Sequence, residues 1–165
     1  MIKDDNIIEK LQQIPLFEEI KDNDEFIRSL VNICNIRDYK AGEVIIKEGE
    51  VGSEMFVVYT GGVEILKRTR AGDNYTVVKL KAEYNVFFFF FALIDDDKRS
   101  ATVRASEDSV FLIITKNDFL KLGNEEPKIG LPITRALAKI LAGRLRKTNS
   151  DMMTIFDALV NELSG

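Results

Sequence analysis

The apolar positions of this chain change their period twice. Residues 6–17, NIIEKLQQIPLF, carry Ile7, Ile8, Leu11 and Ile14 at helical spacing, and Pro15 breaks the run. A second helical stretch, NDEFIRSLVNIC, places Phe26, Leu30 and Val31 on one face, with Asn23 or Asp24 as its N-cap. From about Asn35 the period falls to two. The segments GEVIIKEGE, SEMFVVYTG, GVEILKR, YTVVKLKA, SATVRAS and SVFLIIT are short β-branched and aromatic runs. Gly42, Gly49, Gly52, Gly61, Gly62 and the AGDN of 71–74 punctuate them. Such spacing predicts a small antiparallel barrel or jelly roll. After Ser109–Thr115 the helical period returns. TKNDFLKLG predicts a short capped helix closed by Gly123. ITRALAKILAGRLRK aligns Ile133, Leu137, Ile140, Leu141 and Leu145, and a separate last helix is expected from a Ser150 cap.

The expected fold is therefore mainly β with flanking helices. N-terminal helices span 5–33, a β-barrel of double-stranded β-helix or jelly-roll type spans 35–115, and closing helices span 116–147. Together they form one domain, 1–147, followed by a helical tail, 148–165. A length of 165 residues suits one such unit.

Composition narrows the chemistry. The formal charge of −4 argues against nucleic acid as a partner, since phosphate neutralisation needs a basic face. There is no apolar signal core at the N-terminus and no apolar run near the ~20 residues of a membrane span. Cys34 is the single cysteine, so no intrachain disulfide can form, which fits a reducing, cytoplasmic setting. The chain has no histidine, which removes the usual nucleophilic triads and most zinc and iron sites. Asp95, Asp96 and Asp97 are consecutive rather than spaced like a calcium loop, and read as a solvated turn. No metal, no cofactor and no enzymatic activity are expected.

The residue patterns resemble the cyclic nucleotide-binding domain family over roughly residues 11–147. The match begins at IPLF, 14–17, and continues through KAGEVIIKEGEVGSEMFVVYTGGVEI, 40–65. It is strongest at ALIDDDKRSATVRA, 92–105, and closes with DFLKL, 118–122, and LAGRLR, 141–146. The resemblance implies a phosphate-binding cassette of the form F-G-E-(Leu/Met)-A-L, a variable loop, then R-(Ser/Thr/Ala)-A. Arg99 falls at its phosphate arginine and Ser100 at the following position, while Ala92 and Leu93 open the helix whose amides face the phosphate. Phe88 and Phe91 are expected in the pocket wall. Phe89 and Phe90 stand where the family has the Gly that admits ribose and the Glu that grips its 2′-hydroxyl. Asn85 falls at a turn glycine, and Asn tolerates a left-handed backbone. Arg144 lies where some relatives cap the base; Thr134 and Arg135 are weaker candidates on the same helix.

The resemblance thus implies a regulatory domain whose ligand is cAMP or cGMP, with binding weakened or lost through Phe89 and Phe90. The alternative is a ligand-independent interaction module that keeps the fold. Without its neighbours, Arg99 would read as a solvated cation worth ~0–1 kcal/mol. The apolar stripes of 133–147 and 151–163 serve either packing on the barrel or contact with a second copy or a partner protein. About twenty residues follow Arg146, too few for a helix-turn-helix, so a transcription-factor output is not expected within this sequence.

Overall fold

The computed structural model describes residues 4–68, 74–96 and 98–163. The expected turn at 71–73 and Asp97 lie outside them. Helix α1, Asp4–Gln12, is followed by a 3₁₀ turn at Pro15–Phe17 and by helix α2, Asp24–Asn32. Asn23 caps α2, accepting a hydrogen bond from the Phe26 amide at 3.2 Å. Its fully buried positions are Ile27 and Leu30, with Phe26 and Val31 packed beside them. The face is thus centred one residue away from the expected one.

Eight strands follow among the described residues: β1 Cys34–Tyr39, β2 Val44–Ile46, β3 Glu54–Thr60, β4 Gly62–Arg68, β5 Asn74–Lys81, β6 Phe87–Phe88, β7 Thr102–Ala105 and β8 Ser109–Thr115. They form two antiparallel four-stranded sheets, ordered β1-β8-β3-β6 and β2-β7-β4-β5. The expected mainly-β roll with flanking helices is present, although the sheets do not close into one barrel.

The sheet containing β3 and β8 is the middle layer, and this explains their unbroken apolar runs. In β3, Phe56 and Val58 face the inside of the roll, whereas Met55 and Val57 join the core beneath the helices. In β8, Phe111 and Ile113 face the roll and Leu112 and Ile114 face the helices. Side chains alternate along a strand, so only a sheet covered on both faces buries four residues in succession.

The C-terminal helices differ from expectation in two places. Helix α3, Lys116–Glu125, is capped by Thr115, which accepts from the Asp118 amide at 3.1 Å. It continues through Gly123 rather than stopping there. That glycine serves a helix crossing: a Cβ on Gly130 would lie 2.5 Å from Gly123 Cα. Helix α4 then runs unbroken from Pro127 to Leu163, 37 residues, so the helix expected to start afresh at Ser150 is not separate. Ser150 sits mid-helix between Lys147 and Asp151, which form an i,i+4 ion pair at 2.8 Å. The first half of α4 buries Ile129, Ile133 and Leu137, whereas every residue from Arg144 to Leu163 is exposed. No helix among the described residues is long and apolar enough to cross a membrane.

Candidate functional site

The five-phenylalanine run is distributed between the two cores by backbone geometry. Phe87 and Phe88 form strand β6, paired antiparallel with β3, so their rings go to opposite faces. Phe88 stacks on Phe56, centroids 5.3 Å apart, inside the roll, and Phe87 packs under the helices. At Phe89 the chain turns through a left-handed conformation, φ 55° and ψ 29°, and then forms a 3₁₀ turn over Phe90–Leu93. Phe90, 2% exposed, and Leu93 are thereby sent into the helical core. Asn85 also adopts the left-handed region, φ 50°. Its Oδ1 accepts from Lys10 Nζ at 3.0 Å, and Lys10 also donates to the Ala82 carbonyl at 2.7 Å. Burial there lowers the Lys10 pKa.

Arg99 approaches from the other side. Its backbone is tied to the β2–β3 connection, with Arg99 N donating to Glu50 O at 2.8 Å and Gly49 N donating to Arg99 O at 2.9 Å. Its side chain is nearly enclosed, the residue being 6% exposed. The guanidinium lies over Gly52, where a Cβ would fall 2.5 Å from both Nε and Nη2. Only a glycine permits that approach. Nη2 donates to the Glu54 carbonyl at 2.9 Å, and the Phe89 ring sits 4.6 Å from Cζ. The Glu54 carboxylate is engaged elsewhere, by both Nη groups of Arg37 at 3.2 and 2.5 Å. Desolvation lowers the Arg99 pKa, opposed by the charge of Glu54.

Between Arg99, the 3₁₀ turn and α4 lies a cavity of about 340 Å³. Phe89, Phe91, Ala92, Ile94, Asp95, Lys98, Arg99, Ser100 and Leu141 line it. The sequence-derived candidates Arg99, Ser100, Ala92, Phe89 and Phe91 are brought together here. Leu93, Phe88 and Phe90 are not on the lining, because the strand and the left-handed turn point them into the two cores. The Ala92 amide does not point freely into the cavity; it donates to the Phe89 carbonyl at 3.0 Å. The Ser100 carbonyl accepts from Lys67 Nζ. Arg144 is outside the lining, with Cζ 4.9 Å from the Phe90 centroid and 5.1 Å from that of Phe91. Thr134 bonds the Gly130 carbonyl and Arg135 pairs with Glu19, both away from the cavity.

Four lining residues, Ile94, Asp95, Lys98 and Leu141, were not among the sequence-derived candidates. Asp95 read as part of a solvated loop, and its neighbour Asp96 does remain outside, paired with Lys116 at 2.8 Å. Leu141 was visible only as a member of an amphipathic stripe. Gly52 was visible as a turn glycine, but its contact is with a side chain from 47 residues later in the chain.

The sequence profile described as "Cyclic nucleotide-binding domain" matches residues 36–126, which is 91 of 165 residues. Among curated proteins, a cAMP-dependent protein kinase regulatory subunit of Mycosarcoma maydis is 28% identical, covering 66% of this chain and 20% of that protein. A cyclic AMP receptor protein of Thermus thermophilus is also 28% identical, covering 70% of this chain and 51% of that protein. The chain therefore spans from a fifth to about half the length of these two relatives. Among solved structures, the N-terminal domain of a transcriptional regulator from Streptomyces coelicolor superposes with a TM-score of 0.74 at 25% identity, covering 87% of this chain and 94% of that one.

Proposed function

The chain belongs to the cyclic nucleotide-binding domain family, and from that premise we propose that it is a regulatory domain whose cyclic-nucleotide site is largely closed. The observation that carries this reading is Phe89. Its ring stands at the position of the family's glycine and lies against the guanidinium face of Arg99, 4.6 Å away. Phe90 stands at the position of the family's ribose-binding glutamate, is directed into the core and can accept no hydrogen bond.

Losing one charged hydrogen bond costs about 1.5–3 kcal/mol. A bulky ring in place of none costs roughly 1–3 kcal/mol more through overpacking. Together, about 3–6 kcal/mol corresponds to roughly two to four decades of affinity. Micromolar binding would become millimolar or weaker. Isothermal calorimetry with cAMP and cGMP tests this, and cAMP comes first because two relatives carry it in their names. Low-micromolar binding of either nucleotide would overturn the reading.

A second reading is favoured by the exposed half of α4. Leu145, Met152, Ile155, Phe156, Leu159 and Leu163 are each more than half exposed along one projecting helix. A stripe of this kind suits a second copy or a helical partner. In this reading the domain acts through assembly, with or without a ligand. Sedimentation showing only monomer at high concentration would count against self-association.

A further inference from the structure

We propose that the cavity beside Arg99 takes an anion with a planar carboxylate head and an apolar body, of which benzoate is the simplest member. The proposal rests on the preceding reading that this cavity excludes cyclic nucleotides.

The head group follows from the state of Arg99. The guanidinium is almost enclosed, yet its one side-chain hydrogen bond among the described residues goes to a neutral carbonyl, that of Glu54. The Glu54 carboxylate, the acid that acts on Arg99 through its charge, is held by Arg37. A buried cation without a paired anion is costly, so a counter-anion is strongly favoured there. Phe89 covers one face of the guanidinium and the Gly52 backbone packs against its Nε and Nη2. Nη1 and the second proton of Nη2 carry no other hydrogen bond among the described residues, and Arg99 lines the cavity. An arginine edge is a planar fork of N–H donors that matches a carboxylate with two parallel bonds. A cyclic phosphate is tetrahedral and needs several donors around it; the Ala92 amide is already committed to the Phe89 carbonyl, which leaves Ser100 and Lys98 as the other polar donors on the lining.

The body follows from the walls. Phe89, Phe91, Ala92, Ile94 and Leu141 give the cavity an apolar wall, with Asp95, Lys98 and Ser100 beside Arg99 on its polar side. The volume of about 340 Å³ lies at the small end of the range for ligand pockets, which suits a single-ring acid.

Calorimetry on the full chain tests this with benzoate, cyclohexanecarboxylate, inorganic phosphate and cAMP as separate titrants. Both carboxylates should bind, and phosphate should bind at least tenfold more weakly. Arg99→Gln should weaken benzoate about 10- to 100-fold. Leu141→Glu, on the exposed side of α4, should weaken it with an unchanged melting temperature, which separates loss of the site from loss of the fold. Phosphate binding as tightly as benzoate, or benzoate binding indifferent to both substitutions, would overturn the proposal. Silence from every titrant to about 10 mM would overturn it while leaving the closed nucleotide site intact. Low-micromolar cAMP binding would overturn both readings together.

Discussion

The guanidinium of Arg99 lies 4.6 Å above the centroid of Phe89, and Phe89 holds that position only by adopting a left-handed backbone at φ 55°. An L-residue other than glycine gives up about 1–2 kcal/mol in that region. A largely desolvated cation–π contact returns about 2 kcal/mol. Two opposing terms of similar size therefore meet in one residue. Phe89→Gly removes both, and adds about 0.5–1 kcal/mol of backbone entropy cost. The expected net change in urea unfolding is within about 1 kcal/mol of the parent, although a whole ring is lost. A destabilisation well above 2 kcal/mol would mean that the ring contributes chiefly by packing.

Phe90 gives the contrasting case. Its ring is 2% exposed in the helical core. Phe90→Ala should cost about 3–5 kcal/mol, the usual range for removing a buried aromatic ring. Arg144→Ala, which removes the cation from above Phe90 and Phe91, should cost only about 0.5–1 kcal/mol because Arg144 is exposed. Chemical denaturation of the three variants, including Phe89→Gly, ranks them, and the order Phe90 first, with the other two small, is the expected outcome.

Gly52→Ala places a methyl group 2.5 Å from Nε and Nη2 of Arg99. The side chain can yield only by leaving its bond to the Glu54 carbonyl. A loss of roughly 1–3 kcal/mol is expected. Any anion that binds through Arg99 should weaken in parallel. A fully stable Gly52→Ala protein with unchanged binding would show that the guanidinium has another position available.

The α3–α4 crossing makes an asymmetric prediction. A Cβ on Gly130 meets Gly123 Cα at 2.5 Å and its carbonyl oxygen at 2.9 Å, whereas a Cβ on Gly123 meets Gly130 Cα at 3.2 Å. Backbone cannot swing aside as a side-chain tip can. Gly130→Ala should therefore destabilise by about 2 kcal/mol or more, and Gly123→Ala by clearly less, because its Cβ meets only a 3.2 Å contact while alanine's helix propensity of about 1 kcal/mol offsets part of the loss at either site. Thermal melts of the two variants measure the difference. Equal losses would contradict it.

Cys34 sets a pH dependence. Burial pushes its thiol up to about 12 from an ordinary value near 9. The folded state therefore keeps a proton that the unfolded chain releases between those values. The sign is fixed by linkage: the contribution to stability is complete below pH 9 and is lost as pH rises towards 12. Cys34→Ser should flatten that part of the stability curve. Alkylation of the native protein at pH 8 should also be slow, and should accelerate on adding denaturant.

The strand segments were legible because alternation and β-branched runs are local signals, and six of the eight strands among the described residues fall on or overlap such runs, β1 and β6 being the exceptions. The caps at Asn23 and Thr115 were legible for the same reason, since a side chain reaching an amide three residues on depends on local geometry alone. The helix stops expected at Gly123 and before Ser150 did not occur. Glycine and serine are stop signals only when nothing else requires them, and here Gly123 is needed for contact with Gly130. Ser150 is bridged by the Lys147–Asp151 pair.

For the site, the sequence identified Arg99 and the two phenylalanines that depart from the family pattern, and it placed them in one segment. It treated Phe89 and Phe90 alike, as rings in one pocket. The tertiary structure separated them, because a single left-handed residue reverses which face the next side chain takes. The distinction arises from what covers each face, the roll on one side and α1, α2, α3 and α4 on the other. By itself the sequence determined which residues are apolar, which are charged and how they alternate, since these depend on neighbours along the chain. Which ring meets Arg99, which is buried in the core and which glycine makes room for the guanidinium were decided only by folding, because each depends on surfaces contributed by residues distant in sequence.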